Sequence, residues 1–246
     1  MNTPFDCDLV GNWINRQISL YSNLFSPKLR KIMTALAERA VLVTGANRGM
    51  GREYVGQLLD RGARKVYAAA RDPRTIDIDD SRVAPLQLDV TDAASVAAPV
   101  EVAADVTVLI NNAGITRGVS VLDRDTSALR AELETNLFGP LAMAVNVASV
   151  LAWAPLGASY SVSKAALWSA TDSMRLELAP RGVQVVGVYV GLVEKDMASF
   201  SDRPKSAPAE VIRQVLDGVE SGADEVLADE FTRQIRGQLG KLIHER

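Results

Sequence analysis

The stretch of sequence that decides the fold is Thr44-Gly45-Ala46-Asn47-Arg48-Gly49-Met50-Gly51. It lies between an apolar run at 40–43 and a segment of helical composition at 52–59. A buried strand, a glycine turn and a helix form a phosphate cradle, because backbone N–H groups and the helix dipole attract an anion. The glycines permit the tight turn, the approach of a pyrophosphate and close packing of the helix on the strand. The candidate cofactor contacts in this turn are Gly45, Asn47, Arg48, Gly49, Met50 and Gly51.

The spacing of these glycines is T-G-x-x-x-G-x-G, which differs from the G-x-G-x-x-G of many dinucleotide sites. It is not a P-loop either, because Met50 occupies the position of the second P-loop glycine and no Lys-Ser or Lys-Thr pair follows. An ordinary turn between a strand and a helix is the alternative, and the later motifs have to decide between the two.

Composition limits the class of protein. The chain has 246 residues, of which 48% are hydrophobic, and this is ample for one large buried core. A net charge of −3 argues against a general nucleic-acid or anionic-membrane binder. The single cysteine, Cys7, excludes an internal disulfide and fits a reducing compartment. No apolar run is long enough for a membrane span and no signal sequence opens the chain, so we expect a cytoplasmic protein.

From residue 40 onward, short apolar runs alternate with helical segments. The expected strands are 40–43, 65–70, 83–88, 106–110, 145–150, 184–190 and 225–228. The expected helices between them include 93–103, 129–143, 160–178 and 209–221. Nearly continuous apolar strands separated by helices indicate a parallel sheet covered on both faces. Residues 40–246 are therefore predicted to form one doubly wound α/β domain.

Residues 1–39 lie outside this repeating pattern. Trp13, Ile14, Ile18, Tyr21 and Phe25 recur at helical spacing, which is typical of an amphipathic helix. A poorly ordered extension is the equal alternative.

Ligands of doubly wound sheets bind at the carboxyl ends of the strands. The second strand ends at Arg71, where an acidic residue would bind the ribose hydroxyls of NAD. Arg71 and Arg48 of the glycine turn together suit a 2′-phosphate, because guanidinium groups form charge-assisted hydrogen bonds with phosphate oxygens. The pair predicts NADP as the cofactor; two solvated arginines are the alternative.

The third and fourth strands end in further candidates for cofactor contact. Asp89 is placed to accept a hydrogen bond from the adenine amino group, and Val90 follows it. The turn Asn111-Asn112-Ala113-Gly114 is composed of residues small enough for close approach to a cofactor. Our candidate contacts here are Asp89, Val90, Asn111, Ala113 and Gly114.

Tyr160 and Lys164 form the sharpest candidate pair for catalysis. They are four residues apart and share one helix face near the strand ends. A unit positive charge ~4 Å from a phenol is worth ~4 kcal/mol at a dielectric of ~20, or about three pKa units. We therefore expect Lys164, with cofactor charge beside it, to lower the pKa of Tyr160 toward the working pH. A tyrosine and a lysine at this spacing usually have a structural role, but the preceding glycine turn and the Asn-Asn-Ala-Gly stretch favour a catalytic one.

These motifs resemble the short-chain dehydrogenase/reductase family, from about residue 40 to about residue 228. The resemblance implies a Rossmann-type fold and a metal-free interconversion of a carbonyl and an alcohol with NAD(P). It implies that Tyr160 exchanges a proton with the substrate oxygen, that Ser149 hydrogen-bonds this oxygen and that Lys164 also holds the nicotinamide ribose. It further implies that Asn136 holds a water for proton relay and that the backbone of Val193 meets the carboxamide.

The sequence gives Asn136 a physical reason of its own. In an α-helix its carbonyl would accept a hydrogen bond from residue 140, but Pro140 has no N–H. We expect a kink there and a carbonyl left for water; an ordinary proline kink is the alternative.

Two departures from the family pattern affect the prediction. The passage from Asn136 to Ser149 is shorter than usual, which predicts a helix truncated near Met143, a short strand at 145–150 and a weakened homo-oligomer. The stretch Gly191-Leu192-Val193-Glu194-Lys195 stands where the family has a Pro-Gly and then a threonine, so the threonine contact with the cofactor is absent. A non-catalytic NADP-binding regulator or scaffold is therefore the alternative to an enzyme. A hydrolase is disfavoured, because the only histidine is His244 and no Gly-x-Ser-x-Gly occurs. The small-molecule substrate cannot be read from the sequence.

Overall fold

The computed structural model describes residues 35–98, 102–143, 149–154, 157–194 and 205–239. The expected amphipathic helix around Trp13 lies outside these residues, as do 145–148 of the expected fifth strand. Leu36 is fully buried in the main core, so the packed part of the described chain begins before residue 40.

The described strands form parallel pairs. They are β1 Ala40–Thr44, β2 Lys65–Ala70, β3 Val83–Gln87, β4 Val108–Ile110, β5 Gly187–Tyr189 and β6 Glu225–Leu227. The first four form a sheet in the order β3-β2-β1-β4, and β5 pairs with β6. In register, Val41 of β1 lies opposite Val66 of β2 and Val108 of β4. The carboxyl ends of β1, β2 and β4 consequently meet at one edge.

Helices connect these strands as the sequence pattern predicts. They are α1 Gly49–Asp60, α2 Ala93–Ala97, α3 Ser127–Leu133, α4 Gly139–Met143, α5 Ser159–Leu178, α6 Pro208–Ser221 and α7 Glu230–Gln238. A π-helical turn, Glu134–Phe138, joins α3 to α4. Helix α7 was not expected from the sequence.

Both faces of the sheet are covered, as a doubly wound fold requires. Alternate residues of a strand point to opposite faces, and β1 follows this rule. Val41 and Val43 belong to the core cluster that includes α1 and α6, whereas Ala40 and Leu42 belong to a second cluster on the other face. Arg61 fastens α1 to α6, because its guanidinium pairs with Asp217 and Glu220 at 2.6 Å each. The predicted α/β architecture is therefore confirmed.

The passage around Pro140 differs from the expected kinked α-helix. The helix widens into the π-helical turn immediately before the proline, and the N–H of Gly139 donates to the carbonyl of Glu134. A missing donor at residue 140 removes one α-helical bond, and the wider turn accommodates that loss.

The described helix reaches Met143, where the described residues stop, so the truncation we expected stays a prediction. The expected strand at 145–150 does not extend to its predicted end. Val150 instead begins a 3₁₀ helix, Val150–Ala152, because the Ser149 hydroxyl caps it by accepting a hydrogen bond from the N–H of Leu151. Ser149 still lies at the carboxyl edge, since the N–H of Val150 donates to the carbonyl of Val190.

Within the described part of the chain, none of the helices has the length and apolar character needed to cross a bilayer.

Candidate functional site

A cleft of about 2050 Å³ runs along the carboxyl edge of the sheet. Most of the residues predicted to form the site line it. They are Gly45, Asn47, Arg48, Gly49, Met50, Gly51, Arg71, Asp89, Val90, Ala113, Gly114, Ser149, Tyr160, Lys164 and Val193. Asn111 and Asn136 are buried behind its wall.

The glycine turn has no room for side chains at two of its positions. Gly45 has a φ of +64°, and a Cβ on it would lie 3.1 Å from the Cα of Ala113. A Cβ on Gly51 would lie 2.0 Å from the carbonyl oxygen of Gly45, so only glycine lets α1 begin this close to the strand end. The turn therefore presents bare backbone and a helix N-terminus to the cleft, which fits a pyrophosphate.

A set of hydrogen bonds ties the glycine turn to the end of β4. The hydroxyl of Thr44 accepts from the N–H groups of Asn112 and Ala113, each at 3.0 Å. The side-chain amide of Asn112 donates to the carbonyls of Thr44 at 3.0 Å and Gly45 at 3.3 Å. Sequence reasoning did not select Thr44 and Asn112, although both belong to the quoted motifs. Their hydrogen bonds fix the glycine turn and the turn after β4 relative to each other, and both turns line the cleft.

Arg48 and Arg71 are exposed and line the same end of the cleft. The neighbouring Asp89 accepts hydrogen bonds from the N–H and hydroxyl of Thr91, which lower the pKa of its carboxyl group. The positive charge of Arg71 also lowers the pKa of Asp89, and its effect is the smallest of those acting on this carboxyl group. The two guanidinium groups fit a phosphorylated ribose, whereas the hydrogen bond from Asp89 to adenine stays a prediction.

Tyr160, Ser149 and Lys164 converge at the other end of the cleft. The phenol of Tyr160 forms a hydrogen bond with the hydroxyl of Ser149, and the Lys164 Nζ lies 5.5 Å from the centre of the Tyr160 ring. Lys164 is buried, which is rare for an amine and indicates a site that uses its charge.

The expected lowering of the Tyr160 pKa, by Lys164 with cofactor charge beside it, stays a prediction, because it includes the charge of a bound cofactor. Burial raises the pKa of the phenol well above its usual range, the hydrogen bond with Ser149 lowers it and the charge of Glu132 raises it. The cost of removing a phenolate from water exceeds the lowering of the pKa by the Ser149 hydrogen bond. Tyr160 is therefore protonated at neutral pH and is a proton donor in this state.

Asn136 stands behind the catalytic end of the cleft. It is fully buried, and its side-chain amide pairs with both the N–H and the carbonyl of Ile115 at 2.9 Å. The same amide donates to the hydroxyl of Ser163. A Cβ on Gly114 would lie 3.2 Å from the Oδ1 of Asn136 and 3.9 Å from the Nζ of Lys164, so the two side chains flank this glycine. The holding of a water by the Asn136 carbonyl stays a prediction.

Asn111 has a structural contact in place of the expected cleft contact. Its side-chain amide donates to the carbonyl of Pro140 at 3.2 Å, so it joins the end of β4 to helix α4. Its neighbour Asn112 makes the contacts with the glycine turn.

Two acidic residues that sequence reasoning missed fix backbone segments near the cleft. Glu132 is fully buried and accepts hydrogen bonds from the N–H groups of Arg117 and Gly118. Asp229 caps α7 by accepting from the N–H of Thr232 and also accepts from the N–H of Gly191 at 2.6 Å. The signal for Asp229 was present in the sequence, because an aspartate before a glutamate at the start of an amphipathic segment is a usual helix start.

The segment after β5 closes this end. Val193 forms a parallel bridge with Ser206, the N–H of Glu194 donates to the carbonyl of Ser206, and the N–H of Ser206 donates to the carbonyl of Leu192. Lys195 lies outside the described residues.

Comparison with known proteins places this geometry in a family. A family model described as "short chain dehydrogenase" matches residues 39–205. The chain belongs to the short-chain dehydrogenase/reductase family.

Relatives of this short-chain dehydrogenase/reductase come from bacteria and fungi. It is 31% identical over 213 residues to the 3-oxoacyl-[acyl-carrier-protein] reductase FabG of Escherichia coli, covering 76% of this chain and 86% of that one. It is 34% identical over 181 residues to the short-chain dehydrogenase virD of Hypocrea virens, covering 63% of this chain and 62% of that one. The match thus spans less than two thirds of the fungal relative.

A solved structure also matches this family member. The crystal structure of a short chain dehydrogenase from Burkholderia cenocepacia in complex with NADP is similar with a TM-score of 0.81 and 38% identity. The match covers 85% of this chain and 97% of that one.

Proposed function

We propose that the protein is an NADP-dependent oxidoreductase that interconverts a carbonyl and an alcohol on a small molecule. The observation that carries the proposal is the placement of Ser149, Tyr160 and Lys164 at one end of a cleft whose other end holds the glycine turn. The similar bacterial protein whose crystal structure contains NADP supports the choice of cofactor. The E. coli relative is a reductase of a 3-oxoacyl group, which supports carbonyl chemistry.

In this proposal, the bound cofactor supplies a hydride to the carbonyl carbon. Tyr160 donates its proton to the carbonyl oxygen, since the phenol is protonated at neutral pH. Ser149 donates a hydrogen bond to the same oxygen and stabilises the charge that develops there. Lys164 places a positive charge beside the phenol and offsets the charge that Tyr160 carries after giving up its proton. The reverse direction uses the same groups with Tyr160 as the base.

Selection of NADP over NAD follows from Arg48 and Arg71. Charge-assisted hydrogen bonds of roughly 1.5–3 kcal/mol imply at least a tenfold preference. Lys164, which lines the cleft beside Gly114, is expected to contribute to the binding of the cofactor as well as to proton transfer.

A panel of aldehydes, ketones and alcohols, screened with NADPH, NADH and their oxidised forms, tests the proposal. Tyr160→Phe should abolish turnover and leave NADPH binding nearly intact, because the hydroxyl acts on the substrate alone. Lys164→Ala should reduce both turnover and binding. Turnover retained by Tyr160→Phe would contradict the mechanism. Tight NADPH binding with no turnover across the panel would favour the non-catalytic regulator instead.

A further inference from the structure

A carboxylate lies where the proposed cofactor carries its extra negative charge. Asp72 follows Arg71 directly after β2 and lines the cleft together with Arg48 and Arg71. An unpaired carboxylate at this place would repel a 2′-phosphate and would attract the ribose hydroxyls of NAD instead. The chain therefore has to neutralise Asp72 if the arginines are to select NADP.

Arg74 engages both oxygens of that carboxylate. The Oδ1 of Asp72 accepts hydrogen bonds from the Nε of Arg74 at 2.9 Å and from its backbone N–H at 3.1 Å. The Oδ2 accepts from the Nη2 of Arg74 at 3.0 Å. This is a two-point pairing of guanidinium with carboxylate, the geometry that fixes the orientation of both groups. Arg74 also lowers the pKa of the Asp72 carboxyl through these hydrogen bonds, so the group is ionised and paired.

The local backbone holds the pair in place. Asp72 caps the 3₁₀ helix Pro73–Thr75, and the hydroxyl of Thr75 donates to the carbonyl of Asp72 at 2.6 Å. Pro73 fixes φ at the first position of this turn. The turn thus brings Arg74 back onto the carboxylate, although the Arg74 side chain does not line the cleft.

We propose that Arg74 is a positioning residue for cofactor selectivity, which acts through Asp72. By pairing with both carboxylate oxygens it withdraws a negative charge from the site of the 2′-phosphate and prevents Asp72 from binding the ribose hydroxyls. This inference rests on the proposed NADP-dependent function and adds to it the device that lets an aspartate remain beside Arg71.

The size of the effect follows from elementary electrostatics. A carboxylate ~8 Å from a phosphate dianion, in a medium of dielectric about 80, weakens binding about fivefold at low salt. Screening reduces this figure as the ionic strength rises, because the Debye length falls to about 3 Å at 1 M. Arg74→Ala should therefore lower the ratio of NADPH affinity to NADH affinity about fivefold at low salt and have little effect at 1 M.

The chain contains a matched control. Asp80 and Arg82 form the same pairing two residues apart, with Oδ1–Nε at 3.0 Å, Oδ2–Nη2 at 2.7 Å and a backbone bond at 2.9 Å. Neither residue lines the cleft. Arg82→Ala removes the same charge and frees the same kind of carboxylate, and it also removes a hydrogen bond to the carbonyl of Leu59, so it should leave the affinity ratio unchanged even if it lowers stability.

A double-mutant cycle on cofactor binding tests the inference. Kd for NADPH and for NADH is measured by fluorescence or calorimetry on the wild-type protein, Arg74→Ala, Asp72→Asn, the double variant and Arg82→Ala, at low and high salt. We expect Arg74→Ala to reduce the ratio more in the wild-type background than in the Asp72→Asn background, because the charge of Arg74 acts on the phosphate in both, whereas a carboxylate released to bind the ribose hydroxyls exists only in the first.

The outcomes are separable. An equal loss of NADPH affinity from Arg74→Ala in both backgrounds would show that Arg74 acts on the phosphate itself, by its charge or by direct contact, and not through Asp72, and would overturn the inference. An unchanged ratio in Arg74→Ala, or the same change in Arg82→Ala, would also overturn it. A wild-type protein that prefers NADH would instead refute the proposed cofactor, independently of the variants.

Discussion

Helix α1 begins very close to the end of β1, so alanine substitutions at two of its glycines should change the stability of the protein in opposite directions. A Cβ on Gly51 would lie 2.0 Å from the oxygen and 2.7 Å from the carbon of the Gly45 carbonyl. A Cβ on Gly56 would meet nothing within 4 Å. Both glycines belong to α1, and neither has a positive φ. Alanine is therefore acceptable to the backbone at both positions, and only the steric contact differs.

The magnitude can be worked out from these distances. At Gly51 the helix has to move about 1.4 Å from the turn, since the contact must open from 2.0 Å to at least 3.4 Å. Overpacking of this kind costs about 1–3 kcal/mol. At Gly56, alanine should stabilise the exposed helix by up to ~1 kcal/mol. With about 2–4 °C per kcal/mol for a domain of this size, and a difference of about 1–4 kcal/mol between the two variants, Gly51→Ala should melt roughly 2–16 °C below Gly56→Ala.

Two measurements check this pair of variants. Thermal melts without cofactor give the stability difference, and titration with NADPH gives the binding. Gly51→Ala should also weaken NADPH binding at least tenfold, because the displaced turn no longer presents its N–H groups to the pyrophosphate; Gly56→Ala should bind as the wild type does. The reasoning would be refuted if Gly51→Ala melted at or above Gly56→Ala and bound NADPH normally.

Three further outcomes follow from contacts described above. Asp229→Ala should lose about 1–2 kcal/mol of stability in denaturant melts, because it removes the cap of α7 and the acceptor for Gly191, whereas Asp229→Asn should keep most of it; equal losses would argue against capping. Glu132→Ala should destabilise the protein more than Glu132→Gln in the same assay, since glutamine keeps an oxygen that accepts from the two backbone N–H groups of the neighbouring loop. A larger loss from Glu132→Gln would contradict the role of Glu132 as an acceptor. The rate of carbonyl reduction should stay constant between about pH 7 and about pH 9, because the raised pKa of Tyr160 keeps its phenol protonated over this range. A fall in rate with a midpoint below about pH 8 would contradict this, since it would show that the phenol loses its proton at a lower pH than the raised pKa allows.

Much of the architecture could be predicted, because strand periodicity and glycine turns are local signals. The run at 65–70 became β2 over the same residues, and the run at 184–190 contains the shorter β5. Helix α7 was missed because it is short and predominantly polar, so its few apolar residues, such as Phe231 and Ile235, give a weak local signal. What makes it a helix in the fold is the packing of Ile235 against the aromatic cluster around Trp153.

The site was harder to predict than the fold wherever its chemistry depends on burial. The pKa of Tyr160 depends on how much water surrounds the phenol, and no spacing of residues reports this. Likewise, the adjacent amides Asn111 and Asn112 have the same chemistry, and only the packed structure shows that one binds Pro140 and the other the glycine turn. An ion pair between near neighbours, such as Asp72 with Arg74, could be expected from the sequence. Its relevance to cofactor binding could be inferred only once the structure showed that Asp72 lines the cleft.

Backbone hydrogen bonds join Ser206 to Leu192 and Glu194, so two points of the chain twelve or more residues apart are fixed to each other. They join the two ends of the segment 195–204 at the cleft, so substitutions, insertions or whole replacements inside it leave the anchoring pairs intact. Loop closure adds little free energy when a segment lengthens, about 0.6 kcal/mol for each doubling. Val193 and Ser206 are therefore natural fixed points for grafting a different segment between them.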